Sequence, residues 1–210
     1  MSLFITLEGI EGTGKSTLIQ TLAISLRDQD IPVTVTREPG GSPLAEKIRQ
    51  VVLKKGSEHL NVKAELLLMY AARAQHIAET IQPALANGHV VLCDRYYDAS
   101  HAYQGFGRGV DNKVLRDLDA IVVSSHTPDL TLLLDAPIDL CLDRTKKRKQ
   151  SDRFDKESHI FFTQVQQGYR QRALDFPDRI VTINVDAAPE VVQDLAYDII
   201  MKKIAAADVF

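Results

Sequence analysis

The chain has 210 residues, of which 45% are hydrophobic, and its formal net charge is −3. A chain of this length can bury one substantial core, so we predict a single domain over residues 1–210. The small negative charge provides no general attraction to nucleic acid or to acidic membranes. Because the sequence contains no run of 18 or more apolar residues and no leader pattern, we expect a cytoplasmic protein without membrane spans.

Strand and helix patterns alternate along the chain. Short apolar runs predict strands at 3–8, 32–36, 89–93, 130–134 and 180–185. Helical patterns fill the gaps, at 15–28, 43–54, 62–86, 112–122, 137–147, 155–174 and 188–206. Together they predict an α/β fold with a five-stranded parallel sheet flanked by helices, whose functional groups lie at the carboxyl ends of the strands.

A glycine-rich loop follows the first predicted strand. Residues 9–16 read Gly-Ile-Glu-Gly-Thr-Gly-Lys-Ser, which matches the phosphate-binding pattern G-x-x-x-x-G-K-S. In such a loop, backbone N–H groups hold phosphate at the start of a helix, Lys15 reaches the β and γ phosphates, and Ser16 holds Mg²⁺. The alternative is a glycine-rich hairpin that binds nothing. The residues predicted to bind a nucleoside triphosphate are Gly9, Ile10, Glu11, Gly12, Thr13, Gly14, Lys15, Ser16 and Thr17.

Charged residues also stand at the end of the third predicted strand and on the helix before it. Asp94 can position Mg²⁺ or its water, and Arg95 offers a planar fork for a second phosphate, although a surface ion pair is the alternative. Arg73 interrupts an apolar helix face and therefore needs a partner. That partner is either a nucleobase carbonyl or phosphate, or a buried carboxylate.

The basic run 144–149 and the residues after it connect two predicted helices. We predict that residues 144–155 form a short mobile lid, because phosphoryl transfer needs cations that close over the transferred group. The phosphate loop contains no arginine, so this cation must come from elsewhere in the chain. The alternatives are a nucleic-acid patch and a solvated helix face.

Five segments together resemble the thymidylate kinase family over nearly the whole chain. They are Leu-Glu-Gly-Ile-Glu-Gly at 7–12, Thr-Arg-Glu-Pro-Gly-Gly at 36–41, Tyr-Ala-Ala-Arg at 70–73, Asp-Arg-Tyr at 94–96 and Ala-Tyr-Gln-Gly at 102–105. The resemblance implies a kinase that uses ATP and Mg²⁺ to phosphorylate dTMP to dTDP for dTTP synthesis. It also implies a homodimer whose substrates are small molecules, with no nucleic acid or membrane as partner.

The resemblance also implies roles for individual residues. Glu11 would meet the sugar 3′-hydroxyl of dTMP, Arg95 would clamp its phosphate, and Arg73 would read thymine. Tyr103 would lie beside the sugar 2′ carbon and exclude ribose. The catalytic set implied is Lys15, Arg95, Arg148 and Arg153; the metal set is Ser16 and Asp94; and the dTMP set is Glu11, Pro39, Arg49, Met69, Arg73, Arg95, Ser100, Tyr103 and Gln104.

Two positions depart from the common family pattern. Met69 replaces the usual Phe that stacks on thymine, and Ala99 replaces a Ser. Methionine is polarisable but less rigid than phenylalanine, so looser stacking on the base is expected.

Three other functions would use some of the same sequence features. A GTP-driven switch protein should carry an Asn-Lys-x-Asp motif, which the sequence lacks. A nucleic-acid-stimulated ATPase would use the basic run on a polymer. A kinase for another nucleoside monophosphate or a deoxynucleoside is the nearest alternative, and only the acceptor-site residues argue against it.

Overall fold

The computed structural model describes residues 2–54, 60–146, 153–154 and 157–207. Within these ranges, five strands form one sheet in the order β2-β3-β1-β4-β5, and every neighbouring pair is parallel. The predicted α/β class and parallel sheet are confirmed, and each strand boundary lies within one residue of its prediction. The strands are β1 (Leu3–Glu8), β2 (Val33–Arg37), β3 (Val90–Asp94), β4 (Leu130–Asp135) and β5 (Ile180–Asn184).

The central strand β1 is buried along its whole length. It lies between β3 and β4, and helices cover both faces of the sheet, which explains why its sequence is a continuous apolar run. In the register, Leu7 pairs with Asp94. The loop after β1 and the residues after β3 therefore meet at the same edge of the sheet.

Helices connect the strands, and two π-helical segments, Ile77–Ile81 and His101–Gly107, accompany them. None of the helices in the described ranges is long and apolar enough to cross a membrane. The α-helices are α1 (Lys15–Arg27), α2 (Pro43–Leu53), α3 (Val62–His76), α4 (Gln82–Ala86), α5 (Tyr97–Ser100), α6 (Asn112–Val122), α7 (Ile138–Lys146), α8 (His159–Asp175) and α9 (Pro189–Ala207).

The helix predictions need three corrections. The predicted helix 62–86 contains a π-helical turn between α3 and α4, and the helical stretch 97–107 was not predicted at all. Helix α8 begins at His159 rather than at 155, because the Ser158 side chain caps it by accepting a hydrogen bond from the Phe161 N–H (3.1 Å).

Two sets of packing contacts hold helices α1 and α8 in place. Leu18, Leu22 and Leu26 of α1 are buried against the sheet, and burying each such side chain stabilises the fold by about 1.5–3 kcal/mol. On the other side, α8 packs closely on the segment His101–Gly107. A Cβ at Gly168 would overlap Ala102 and Phe106, so glycine permits this close approach.

Candidate active site

The phosphate loop packs tightly against its neighbours. Gly9 and Gly12 both have positive φ angles, +135° and +80°. A Cβ at Gly9 would overlap the carbonyl oxygen of Leu134, and one at Gly12 would overlap that of Cys141. Only glycine fits these positions, and the loop delivers the chain to α1 with its N-terminal N–H groups at the sheet edge.

The Lys15 side chain lies over this loop. Its Nζ donates to the carbonyl oxygens of Gly9 (2.9 Å) and Ile10 (2.8 Å) and lies 3.3 Å from Thr13 Oγ1. Burial and the nearby positive charge of Arg95 lower the pKa of Lys15 to about 8. A bound phosphate would supply the negative charge that this buried ammonium group lacks.

Ser16 and Asp94 meet where β1 and β3 end. The Ser16 hydroxyl donates to Asp94 Oδ2 at 2.7 Å. A hydroxyl and a carboxylate oxygen are the hard ligands that Mg²⁺ takes when phosphate and water complete its shell. The donor set therefore fits Mg²⁺ bound together with a nucleotide.

One cleft of about 220 Å³ opens at this edge of the sheet. It brings together Lys15 and all the residues predicted to bind dTMP or the metal: Glu11, Ser16, Pro39, Arg49, Met69, Arg73, Asp94, Arg95, Ser100, Tyr103 and Gln104. It also contains residues that sequence reasoning did not assign: Arg37, Glu38, Leu53, Tyr96, Ala99 and Phe154.

Arg95 is held in the middle of the cleft by three neighbours. Its Nη1 donates to the Tyr169 hydroxyl and its Nη2 to Glu11 Oε1, each at 3.0 Å. Its guanidinium group also lies 4.8 Å from the centre of the Tyr103 ring. Tyr103 in turn donates its hydroxyl hydrogen to Glu11 Oε2 (2.6 Å). The predicted phosphate clamp, sugar contact and ribose filter thus form one connected group.

A buried carboxyl group, that of Glu8, supports this group from below. It accepts hydrogen bonds from the Tyr96 N–H (2.7 Å) and from the Tyr169 hydroxyl (2.8 Å). Burial and the negative charge of Asp98 raise the pKa of Glu8 to about 8. Sequence reasoning missed both Glu8 and Tyr169, although an acid at the end of an apolar strand was a usable signal.

Arg73 has the buried carboxylate partner that was one of its two predicted alternatives. Its Nε donates to Glu38 Oε2 (2.7 Å) and its Nη2 to Ser100 Oγ (3.1 Å). Its Nη1 is buried and has no hydrogen-bond partner among the described residues. Although burial opposes the charge, Glu38 raises the pKa of Arg73 above its usual value. A charged, unsatisfied donor therefore remains at the cleft wall.

Glu38 is held by two residues of α3, Arg73 and His76. His76 Nδ1 lies 3.0 Å from Glu38 Oε1, and His76 Nε2 lies 2.6 Å from Thr36 Oγ1. The Glu38–Pro39 peptide bond is cis. Arg49 Nη1 donates to the Pro39 carbonyl oxygen (2.8 Å), which places Arg49 at the cleft beside this turn.

The structure describes only one of the two predicted lid arginines. Arg148 lies outside the described residues. Arg153 is described, and its Nη2 forms an ion pair with Glu65 Oε2 at 2.6 Å. Glu65 also accepts a hydrogen bond from Gln104, so Arg153 stands behind the wall formed by Gln104 rather than at the phosphate loop. A catalytic role for either arginine stays a prediction.

A phosphate loop after the central strand, facing an acid and an arginine at the end of the adjacent strand, defines a P-loop nucleotide kinase. The family model described as thymidylate kinase matches residues 7–196. The chain therefore belongs to the thymidylate kinase family and is an enzyme that transfers phosphoryl groups.

Relatives and solved structures agree over nearly the full length. The chain is 52% identical to thymidylate kinase of Pseudomonas entomophila over 177 residues, which cover 84% of each chain. It is 44% identical to that of Trichlorobacter lovleyi over 209 residues, covering 97% of this chain and 99% of the relative. The crystal structure of thymidylate kinase from Ehrlichia chaffeensis superimposes with a TM-score of 0.77 at 30% identity, covering 95% of this chain and 98% of that one.

Proposed function

We propose that the protein transfers the γ-phosphoryl group of ATP directly to the 5′-phosphate of dTMP, giving dTDP and ADP. The observation that carries this proposal is the single cleft that holds both the phosphate loop and the groups suited to a pyrimidine deoxynucleotide. Family membership supports the same reaction.

On the donor side, the loop N–H groups and Lys15 bind the ATP phosphates. Ser16 and Asp94 are the residues that would hold Mg²⁺, whose charge would neutralise the phosphate oxygens when it is bound. Lys15 is already in place over the loop, so ATP binding requires little rearrangement of this side chain beyond exchanging carbonyl contacts for phosphate contacts.

On the acceptor side, Arg95 binds the dTMP phosphate with the N–H groups that Glu11 and Tyr169 leave unused. Glu11 receives the sugar 3′-hydroxyl, and the Tyr103 ring fills the space beside the 2′ carbon. Arg73 donates from its unpaired Nη1 to a base carbonyl, while Met69 and Pro39 border the base.

No protein nucleophile or general base is required. The dTMP phosphate is already an oxyanion at neutral pH, so catalysis consists of alignment and of neutralising the charge that develops. Lys15 and Arg95 supply part of that charge from rigid positions. We propose that lid residues 144–155 supply the remainder through Arg148 or Arg153, and that closure of the lid excludes water.

The finer features we propose are ATP with Mg²⁺ as phosphoryl donor and a homodimer as the active assembly. Exposed apolar side chains on neighbouring helices, Leu44, Leu67 and Ile121, are available to a second copy. We place the reaction in the cytoplasm, where ATP and nucleotide precursors are available, and propose no nucleic-acid partner.

The test is an ADP-release assay across nucleoside monophosphates and nucleosides, with the product separated by chromatography. We expect dTMP to be preferred over dCMP, dGMP and AMP, and Lys15→Ala to abolish turnover with every acceptor. Equal or faster turnover of another acceptor would overturn the substrate assignment, and a fully active Lys15→Ala variant would remove the loop from the donor site.

A further inference from the structure

We infer that Glu65 sets the base specificity of the acceptor site by holding the Gln104 side-chain amide in one orientation. This inference rests on the proposed dTMP kinase activity and adds to it the residue that determines which pyrimidine is accepted. Glu65 lies behind the cleft wall and acts through Gln104, so it is a positioning residue.

The contact between the two side chains allows only one amide orientation. Glu65 is buried, and its Oε1 accepts a hydrogen bond from Gln104 Nε2 at 2.7 Å. A carboxylate only accepts hydrogen bonds, so the Gln104 NH₂ group must face it. Rotating the amide by half a turn would bring two oxygen atoms together in a buried place.

The second oxygen of Glu65 also faces only donors. Its Oε2 lies 2.6 Å from Arg153 Nη2 and 3.7 Å from Arg108 Nε. The carboxylate is therefore held from three sides. All three neighbours, Gln104, Arg108 and Arg153, come from segments distant in sequence from α3, so the position of Glu65 is fixed by the tertiary structure.

The consequence is a fixed pattern of one acceptor and one donor at the base end of the cleft. With its NH₂ group on Glu65, Gln104 can present its carbonyl oxygen to the ligand, while the unpaired Nη1 of Arg73 presents a donor. Thymine and uracil carry the complementary pair, an N3–H donor next to an O4 acceptor. Cytosine carries an N3 acceptor next to an N4 amino donor, so both positions are mismatched.

Mismatches of this kind are costly because they leave buried polar groups unpaired. A free Gln104 could rotate its amide and offer NH₂ to cytosine N3, which would recover one of the two contacts. Glu65 prevents that rotation. Without Glu65, discrimination between thymine and cytosine should fall while other features of binding persist.

The experiment measures kcat/KM of wild type and Glu65→Gln with dTMP, dUMP and dCMP. Because the amide introduced by this substitution can donate or accept, the Gln104 amide is free to rotate. We expect the dTMP:dCMP ratio to fall roughly tenfold or more, equivalent to one or both hydrogen bonds. The dTMP:dUMP ratio should stay within about twofold, because thymine and uracil share the same hydrogen-bonding edge.

Glu157→Gln is the matched control. Glu157 accepts a hydrogen bond from Arg108 Nη2 (2.6 Å), so the same chemical change disturbs the same arginine without touching Gln104. Its dTMP:dCMP ratio should equal that of wild type. In a Gln104→Leu background, adding Glu65→Gln should change the ratio no further, because the effect passes through the Gln104 amide.

Three results would overturn the inference. The first is an unchanged dTMP:dCMP ratio in folded Glu65→Gln, and the second is a parallel fall of both ratios, which indicates general damage. The third is an unchanged dTMP:dCMP ratio in Gln104→Leu, which applies even if Glu65→Gln fails to fold. Glu65→Asp, which keeps the charge but withdraws the carboxylate from Gln104, is a second test, and its dTMP:dCMP ratio should also fall. If wild type itself does not prefer dTMP over dCMP, the proposed function fails instead.

Discussion

Tyr103 is enclosed by aromatic and charged groups on several sides. Its ring makes edge contacts with Phe154 (5.6 Å between centroids) and Tyr169 (6.2 Å), and the Arg95 guanidinium group lies over it. Its hydroxyl is held by Glu11. A ring with so little freedom acts as a rigid wall, which is what exclusion of a ribose hydroxyl by steric clash requires.

We therefore expect Tyr103→Ala to narrow the kcat/KM ratio between dTMP and its ribose counterpart. Tyr103→Phe should keep most of that ratio because the ring remains, although loss of the Glu11 contact should raise the KM for dTMP by a few-fold, about 1 kcal/mol. Steady-state kinetics with both nucleotides, alongside a thermal melt of each variant, checks this. An unaltered ratio in folded Tyr103→Ala would show that Tyr103 is a packing residue.

The lowered pKa of Lys15 predicts that ATP binding depends on pH. Its pKa of about 8 in the free protein means that it is largely neutral at about pH 9, and bound phosphate should restore the proton. ATP binding should therefore take up close to one proton at about pH 9 and far less at about pH 7, and affinity should fall as the pH rises above 8. Calorimetric titrations in two buffers of different ionisation enthalpy measure this uptake. Lys15→Arg, whose charge is permanent, is the control; equal uptake at both pH values would contradict the assignment.

At the scale of elements, the sequence predicted those parts whose local pattern reflects their environment. Buried parallel strands leave continuous apolar runs, so all five strands were found. Because carboxyl ends of parallel strands share one edge, the loop after β1 and the pair Asp94–Arg95 could be placed together in advance. The stretch 97–107 was missed because it joins a four-residue α-helix to a π-helical segment and so contains no long run with the 3.6-residue period on which helix prediction relies. The π-helical segment Ile77–Ile81, in contrast, lies inside a long predicted helix.

Supporting residues could not be predicted for a different reason. Glu65 acts on a side chain 39 positions away, and Glu8 contacts Tyr169 across 161 positions. Each is an ordinary acidic or aromatic residue in its local context, and only the fold brings its partner near. The side chains proposed to touch substrate were visible in motifs, whereas the side chains that hold them in place were not.

The proposed lid, residues 144–155, is a single segment of the chain whose role can be tested by substitution. If residues 144–155 supply the catalytic cation, Arg148→Ala or Arg153→Ala should lower kcat about 10³-fold with a much smaller change in dTMP affinity, since the contact strengthens in the transition state. The ion pair of Arg153 with Glu65 means that Arg153 must first release this carboxylate to reach the phosphates. Single-turnover rates with separately measured dTMP binding test this. Normal kcat in both single variants and in the double variant would show that the basic run 144–149 is a solvated face and not a lid.

For the whole molecule, Glu8 predicts how the free energy of unfolding varies with pH. Its pKa is about 8 in the folded protein and near 4.5 when unfolded, so between these values the folded state holds a proton that the unfolded state has lost. Its contribution to stability is complete below the unfolded pKa and is lost as the pH rises through the folded one. Relative to Glu8→Gln, wild type should lose on the order of 2 kcal/mol between about pH 5.5 and pH 8.5.

Denaturant titrations at several pH values provide this measurement. Glu190→Gln is the control, because Glu190 is exposed in the first turn of α9 and should leave the pH profile of wild type unchanged. Parallel profiles for wild type and Glu8→Gln would contradict the raised pKa of Glu8.

The central position of β1 affects how the protein folds during its synthesis on the ribosome. Strand Leu3–Glu8 pairs with strands that end at residues 94 and 135, so it is synthesised well before either of these neighbours. Its apolar run therefore stays unpaired while more than half of the chain is translated. Exposed apolar strands of this kind are the segments most prone to aggregation. The loop after β1 is thus synthesised before the backbone of Leu134 and Cys141, against which Gly9 and Gly12 pack. We therefore expect nucleotide binding to begin only after β3 and β4 have paired with β1.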